Sequence, residues 1–147
     1  MTPFTEFVLN TGIFFGKFKL RNEIVFQPNF THREYKKFGD VIYFMVYKRK
    51  RILKIGKTVN FYVRQNTYCR LDPDKTSIMI LRESKHYDVD EVEVYAISVS
   101  RLKARLTSAF SDITYDVMIS RLKEFEAIYI KEAISLGEDL IFNTQRK

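Results

Sequence analysis

Tyr43, Lys54 and Arg64 are spaced so that a phenol, an ammonium and a guanidinium can meet at one point, a set suited to cutting a phosphodiester backbone. Val41 to Tyr47 and Ile52 to Ile55 are short apolar segments separated by Lys48-Arg49-Lys50-Arg51, the pattern of a β-hairpin with a solvated turn. Gly56 ends the second segment, and Asn60 to Tyr68 has helical character, which predicts Arg64 near the start of a helix that directly follows a strand.

The elements that must hold this junction follow from periodicity. Gly12 to Phe18 and Glu23 to Phe26 read as an apolar hairpin, followed by a polar stretch from Gln27 to Lys37. Asp72-Pro73-Asp74 opens a helix through Lys85, with Asp74 or Thr76 as its cap. Glu91 to Val99 alternates as a strand with one buried face. Tyr115 to Leu136 is the longest helical pattern, with Val117, Ile119, Leu122, Phe125, Ile128, Tyr129, Ala133 and Leu136 on its apolar face and Gly137 as its stop. The expected class is α+β: a small three-stranded antiparallel central sheet flanked by helices. Residues 1–38 are read as an N-terminal extension with a possible hairpin, and residues 39–147 as the main domain.

Composition bounds the function. The 147 residues are 46% hydrophobic and 29% charged, the balance of an ordinary globular domain. No apolar run approaches the roughly 18 residues that cross a bilayer, and Met-Thr-Pro-Phe-Thr-Glu lacks the regions of a signal peptide, so a cytoplasmic protein with no membrane partner is expected. One cysteine, Cys69, and two distant histidines, His32 and His86, rule out a disulfide framework or a local cysteine and histidine metal pair. The net charge of +7 is uneven: residues 1–75 hold 15 basic and 6 acidic residues, while residues 76–147 hold 10 and 12. Six cations fall between Lys48 and Lys57 with no acid among them, the footprint expected of a phosphate-backbone binder.

Other motifs compete for this role. Ile55-Gly56-Lys57-Thr58 matches the end of a phosphate-binding P-loop, but that loop needs glycine at position 51, where this chain has Arg51. Gly12-Ile13-Phe14 is followed by neither Ile-Gly nor a suitably placed arginine, so it reads as a structural strand. Asp74, Glu83 and Lys85 carry the residue types of PD-(D/E)xK nucleases, in which two carboxylates hold a divalent metal. That geometry needs the acids on neighbouring strands, whereas Glu83 and Lys85 fall two apart on a helix and point in different directions.

Val41-Ile42-Tyr43, Lys54-Ile55-Gly56, Arg64, Glu126 and Asn143 together resemble the ordered landmarks of the GIY-YIG nuclease superfamily. The pattern is closest to its small coliphage endonuclease II type, whose second motif begins with lysine, and the likeness extends to Asn66, Tyr68 and the run Asp74 to Thr76. It covers Asp40 to Asn143. Valine stands where the first glycine is usual, and Lys54 stands where the second tyrosine is usual.

The resemblance implies a metal-dependent endonuclease that hydrolyses DNA with water and one Mg²⁺ or Mn²⁺ per site. Glu126 would hold the ion through a single carboxylate with water around it, as this hard cation allows. Its neighbour Glu124 falls out of register with the apolar pattern that follows. Arg64 would place its planar fork on the scissile phosphate. Tyr43 would orient or deprotonate the water, and since a free tyrosine has a pKa of about 10, Lys54 would help by favouring the phenolate or by contacting phosphate. Asn143 would fix Glu126 or the Tyr43 hydroxyl by a hydrogen bond. Lys48, Arg49, Lys50, Arg51, Lys57, Tyr62, Asn66 and Tyr68 are the candidate contacts to double-stranded DNA. The resemblance also implies a homo-oligomer and loose sequence preference, in a host-cell cytoplasm if the chain is phage-encoded. The competing class is a non-catalytic nucleic-acid-binding module in which Lys54 marks a degenerate site.

Overall fold

The computed structural model describes residues 1–70, 75–98 and 122–143. Numbered over those residues, the elements run α1 (Pro3–Thr11), β1 (Ile13–Leu20), β2 (Ile24–Pro28), α2 (His32–Phe38), β3 (Val41–Tyr47) and β4 (Arg51–Thr58). They continue with α3 (Phe61–Arg70), α4 (Lys75–His86), β5 (Glu91–Ser98) and α5 (Leu122–Ser135). The α+β class is as expected, but the antiparallel sheet has five strands, not three, in the order β2-β1-β5-β3-β4. The extra pair is the N-terminal hairpin: β1 runs against β5, with Phe18 opposite Val92 and Ile13 opposite Ala96. Without β1, strand β5 would offer an apolar, unpaired edge, the arrangement that invites aggregation.

Two further helices lie where none was expected. Thr2 caps α1, accepting from Thr5 N at 3.0 Å, with proline in the first turn. Thr31 and Glu34 form a reciprocal capping box on α2. Tyr35 anchors α2 on the sheet by donating to Phe15 O while its hydroxyl accepts from Asn29 N at 3.0 Å. The expected helix from Tyr115 is seen from Leu122 on; Tyr115 to Arg121 lie outside the described residues, as does Val99 beyond β5.

Strand β3 is buried from Val41 to Val46 because helices cover both its faces. On one face Tyr35, Phe61, Tyr68 and Ile80 pack with Val41, Tyr43 and Met45. On the other, Phe4 and Val8 of α1 and Leu122, Ile130 and Ala133 of α5 pack with Ile42, Phe44 and Val46. Among the described residues no helix is long and apolar enough to cross a membrane.

Gly137, at φ 101°, ends α5 and turns the chain back along the free edge of β4. There Glu138 accepts from the Thr2 and Thr5 hydroxyls with one oxygen and from Ile52 N, at 2.7 Å, with the other. Phe142 N then donates to Leu53 O at 2.8 Å. Among the described residues this strap covers the edge as far as Ile55.

Candidate active site

Tyr43 and Gly56 face each other across the β3–β4 ladder. A Cβ on Gly56 would overlap Cζ and the hydroxyl of Tyr43 and stand 2.8 Å from its Cε1, so the phenol ring rests directly on the glycine backbone. Phe61, at the start of α3, packs against the same ring with centroids 5.3 Å apart. Asn60 fixes that helix start, its side-chain oxygen accepting from Tyr62 N at 3.1 Å and its carbonyl from Arg64 N at 3.1 Å.

Arg64 is thereby aimed at the tyrosine. Its Nε donates to the Tyr43 hydroxyl at 3.3 Å, a terminal nitrogen donates to the Tyr68 hydroxyl at 3.3 Å, and the two hydroxyls lie 2.5 Å apart. The guanidinium carbon also sits 4.5 Å from the Tyr68 ring centroid. Burial works against the Arg64 charge, but the two phenolic oxygens outweigh it and hold the guanidinium protonated. Burial pushes both phenols above their ordinary range, against the pull of Arg64. Tyr43 is therefore a neutral hydroxyl near pH 7, suited to orienting a water and not to deprotonating it.

These groups open into a cavity of about 350 Å³ at the edge of β4. From one sheet face come Tyr43, Lys54, Arg64 and Thr76; Glu126 reaches in from α5, and Asn143 closes the wall at the end of the strap. Lys54 and Glu126 are 7% and 8% exposed, so each is a charge largely withdrawn from water beside the other. Burial raises the Glu126 carboxyl above the usual range, while Lys57, Lys54, Arg64 and Lys123 pull it back. Among the described residues three lining cations, Lys54, Lys57 and Arg64, stand around one lining carboxylate, Glu126, an excess of positive charge that fits a phosphate.

The five expected catalytic residues, Tyr43, Lys54, Arg64, Glu126 and Asn143, thus line one cavity. The lysine charge bears on Glu126; the cation that touches the Tyr43 hydroxyl is Arg64, and burial keeps that phenol protonated. Asn143 braces the strand: its Oδ1 accepts from Ile55 N at 2.7 Å and its Nδ2 donates to Ile55 O at 3.0 Å. Among the described residues these bonds to Ile55, and none to Glu126 or the Tyr43 hydroxyl, define its role, because its amide takes the place of a missing strand neighbour.

Of the expected DNA contacts, Lys57 lines the cavity. Tyr68 does not present a stacking face; it is fully buried and spends its hydroxyl on Tyr43 and Arg64. Tyr62 stacks on His32, with centroids 3.8 Å apart, and Asn66 is exposed on α3 outside the cavity. Lys48, Arg49, Lys50 and Arg51 sit at the far end of the hairpin. Thr76, read as a cap and as the end of the Asp74 to Thr76 run, is a lining residue. The Tyr68 role was legible in one signal, its place four residues after Arg64 on the same helix face.

The PD-(D/E)xK set is not assembled among the described residues. Glu83 pairs with Arg82 at 3.4 Å, Lys85 lines a separate hollow beside the β1–β2 turn, and Asp74 lies outside the described residues. Glu124 has no described side chain. Cys69 is half-buried, and burial raises its thiol, which makes it a poor nucleophile. No protein-family model matches this chain, and neither a curated protein nor a solved structure matches it.

Proposed function

We propose that the chain is a metal-dependent endonuclease of GIY-YIG type that hydrolyses phosphodiester bonds of double-stranded DNA. One observation carries this reading: residues 43, 54, 64 and 126, far apart in sequence, line a single cavity in which, among the described residues, three cations surround one carboxylate.

The residues divide the work by chemistry. Arg64 presents donors to the non-bridging oxygens, where negative charge concentrates as water attacks phosphorus and the bond to the leaving sugar oxygen breaks. Its contacts to Tyr43 and Tyr68 fix the guanidinium plane before substrate arrives. Tyr43, a neutral hydroxyl, orients the attacking water. Lys54 and Lys57 neutralise the incoming phosphate and keep Glu126 ionised against its burial. Glu126 fits a Mg²⁺ or Mn²⁺ ion, because one carboxylate facing a roomy polar cavity leaves space for the waters that such ions retain. When bound, the ion supplies charge neutralisation at the phosphate oxygens. One chain carries one such cavity, so cutting both antiparallel strands calls for a symmetric homo-oligomer or two successive nicks.

Supercoiled plasmid incubated with the protein tests the reading. Mg²⁺ or Mn²⁺ should yield nicked and linear forms, while EDTA or Glu126→Ala should leave the plasmid intact. Salt-sensitive DNA binding without scission under any divalent ion would instead favour the non-catalytic binding module.

A further inference from the structure

The β3–β4 turn is built against conformational preference. Lys48 and Arg49 hold its two central positions at φ 52° and 56°, and Lys50 N donates to Tyr47 O at 3.0 Å. Two successive positive φ values define the hairpin geometry for which asparagine and glycine are the favoured residues, since a Cβ crowds the backbone there. A turn that only had to reverse the chain would be more stable with those residues. This one carries two cations in their place, and Lys50 and Arg51 extend the run.

The surroundings hold the run as a prong. Tyr47, packed against the core, lies beneath Lys48 Nζ at 5.1 Å and the Arg51 guanidinium carbon at 5.4 Å from its ring centroid. Arg49 Nε lies 3.2 Å from a Glu93 oxygen, but the arginine side chain is 67% exposed, so a phosphate can replace that carboxylate at little cost. The ladder places Tyr43 opposite Gly56 and Tyr47 opposite Arg51. The prong therefore begins four residues, about 13 Å, from the catalytic pair. Along a DNA duplex that distance is roughly four base pairs.

We infer that the β3–β4 tip clamps the sugar–phosphate backbone of duplex DNA roughly four base pairs from the bond held in the cavity, setting affinity without entering the chemistry. This rests on the endonuclease reading and adds where the substrate is held. Because the tip stands at one end of the hairpin, the grip falls on one side of the cut.

Binding of a labelled duplex in EDTA, measured from low to moderate salt, separates the two readings. Replacing Lys48-Arg49 by Asn-Gly relieves the backbone strain while removing two charges. The variant should melt at a higher temperature, bind more weakly at low salt, and show a slope of log affinity against log salt reduced by about 1.8. Its cleavage of sub-saturating DNA should fall in step with the weakened binding, and hydroxyl-radical protection roughly four base pairs from the cut should be lost. The K48Q/R49Q variant should give the same change in slope without the gain in melting temperature, which separates charge from strain. An unchanged slope in both variants of a protein that cuts DNA overturns the clamp alone. A reduced slope in a protein that never cuts overturns the endonuclease reading and leaves the clamp standing. A change in oligomeric state with an unchanged slope would mark the tip as a protein contact and also overturn the inference.

Discussion

The hydroxyls of Tyr43 and Tyr68 lie 2.5 Å apart, and Arg64 donates to both. Each phenol arrives on a different element, β3 and α3, so the pair locks the helix that carries the arginine onto the strand that carries the tyrosine.

Tyr68→Phe should therefore act on both stability and rate. It removes one buried hydroxyl and leaves two partners short of a bond, a loss of about 1 kcal/mol in urea unfolding. With one of the two hydroxyls that hold Arg64 removed, cleavage at saturating DNA should fall about tenfold, equivalent to about 1.4 kcal/mol of transition-state stabilisation. A variant with parental cleavage and only the stability loss would show that Tyr68 does not position Arg64.

Gly56→Ala should be costly for a reason confined to one neighbour. The added methyl group overlaps the Tyr43 ring. Overpacking of this kind costs about 1–3 kcal/mol and forces the ring off its site, so cleavage should drop with stability. In a Tyr43→Ala background the penalty should largely vanish, giving a coupling energy of comparable size in a double-mutant cycle. Equal costs in the two backgrounds would place the constraint in the backbone of β4.

Local sequence carried the site better than the sheet. Strand β3 is a continuous apolar run and Gly56 and Arg64 sit at a fixed spacing after it, so the hairpin and the helix start could be read from their own neighbourhood, whereas Glu126 was reached only through the resemblance to a known family. The pairing of β1 with β5 joins residues more than seventy positions apart, and nothing in either segment's alternation names the other as partner. Nothing in the local sequence marks Glu138, yet it is buried, with Thr2, Thr5 and Ile52 N as its donors. A buried acid with donors from both ends of the chain is a tertiary fact. The signals missed for α1 and α2 were local, a threonine before proline and a Thr31 to Glu34 box, hidden by short helices with few apolar positions.

Asn143→Ala should destabilise the β4 edge more than it alters chemistry. Ile55 N and O are left unpaired in a buried setting, at about 1–3 kcal/mol. Asn143→Asp should be worse, because it keeps the acceptor for Ile55 N and turns a carboxylate oxygen against Ile55 O. Thermal melts of the two variants decide this: an aspartate variant as stable as the parent would mean the amide nitrogen is not needed at Ile55.

Glu126 links function to stability with opposite signs. Burial raises its carboxyl above the ordinary value of 4.5, so between those two values the folded protein binds more protons than the unfolded chain. Stability from this group is therefore fully present below the unfolded value and declines as pH rises through the raised one. Glu126→Gln removes that penalty. It should melt at a higher temperature than the parent at pH 7, with the gap closing as the pH is lowered past the ordinary carboxylate range. Cleavage should behave inversely, absent in the glutamine variant and lost in the parent as acid protonates the carboxylate, at a pH above that of an exposed glutamate. A parent whose melting temperature relative to Glu126→Gln does not change with pH would show that the carboxylate is not strained by burial, and that the lysines around it already offset the whole penalty.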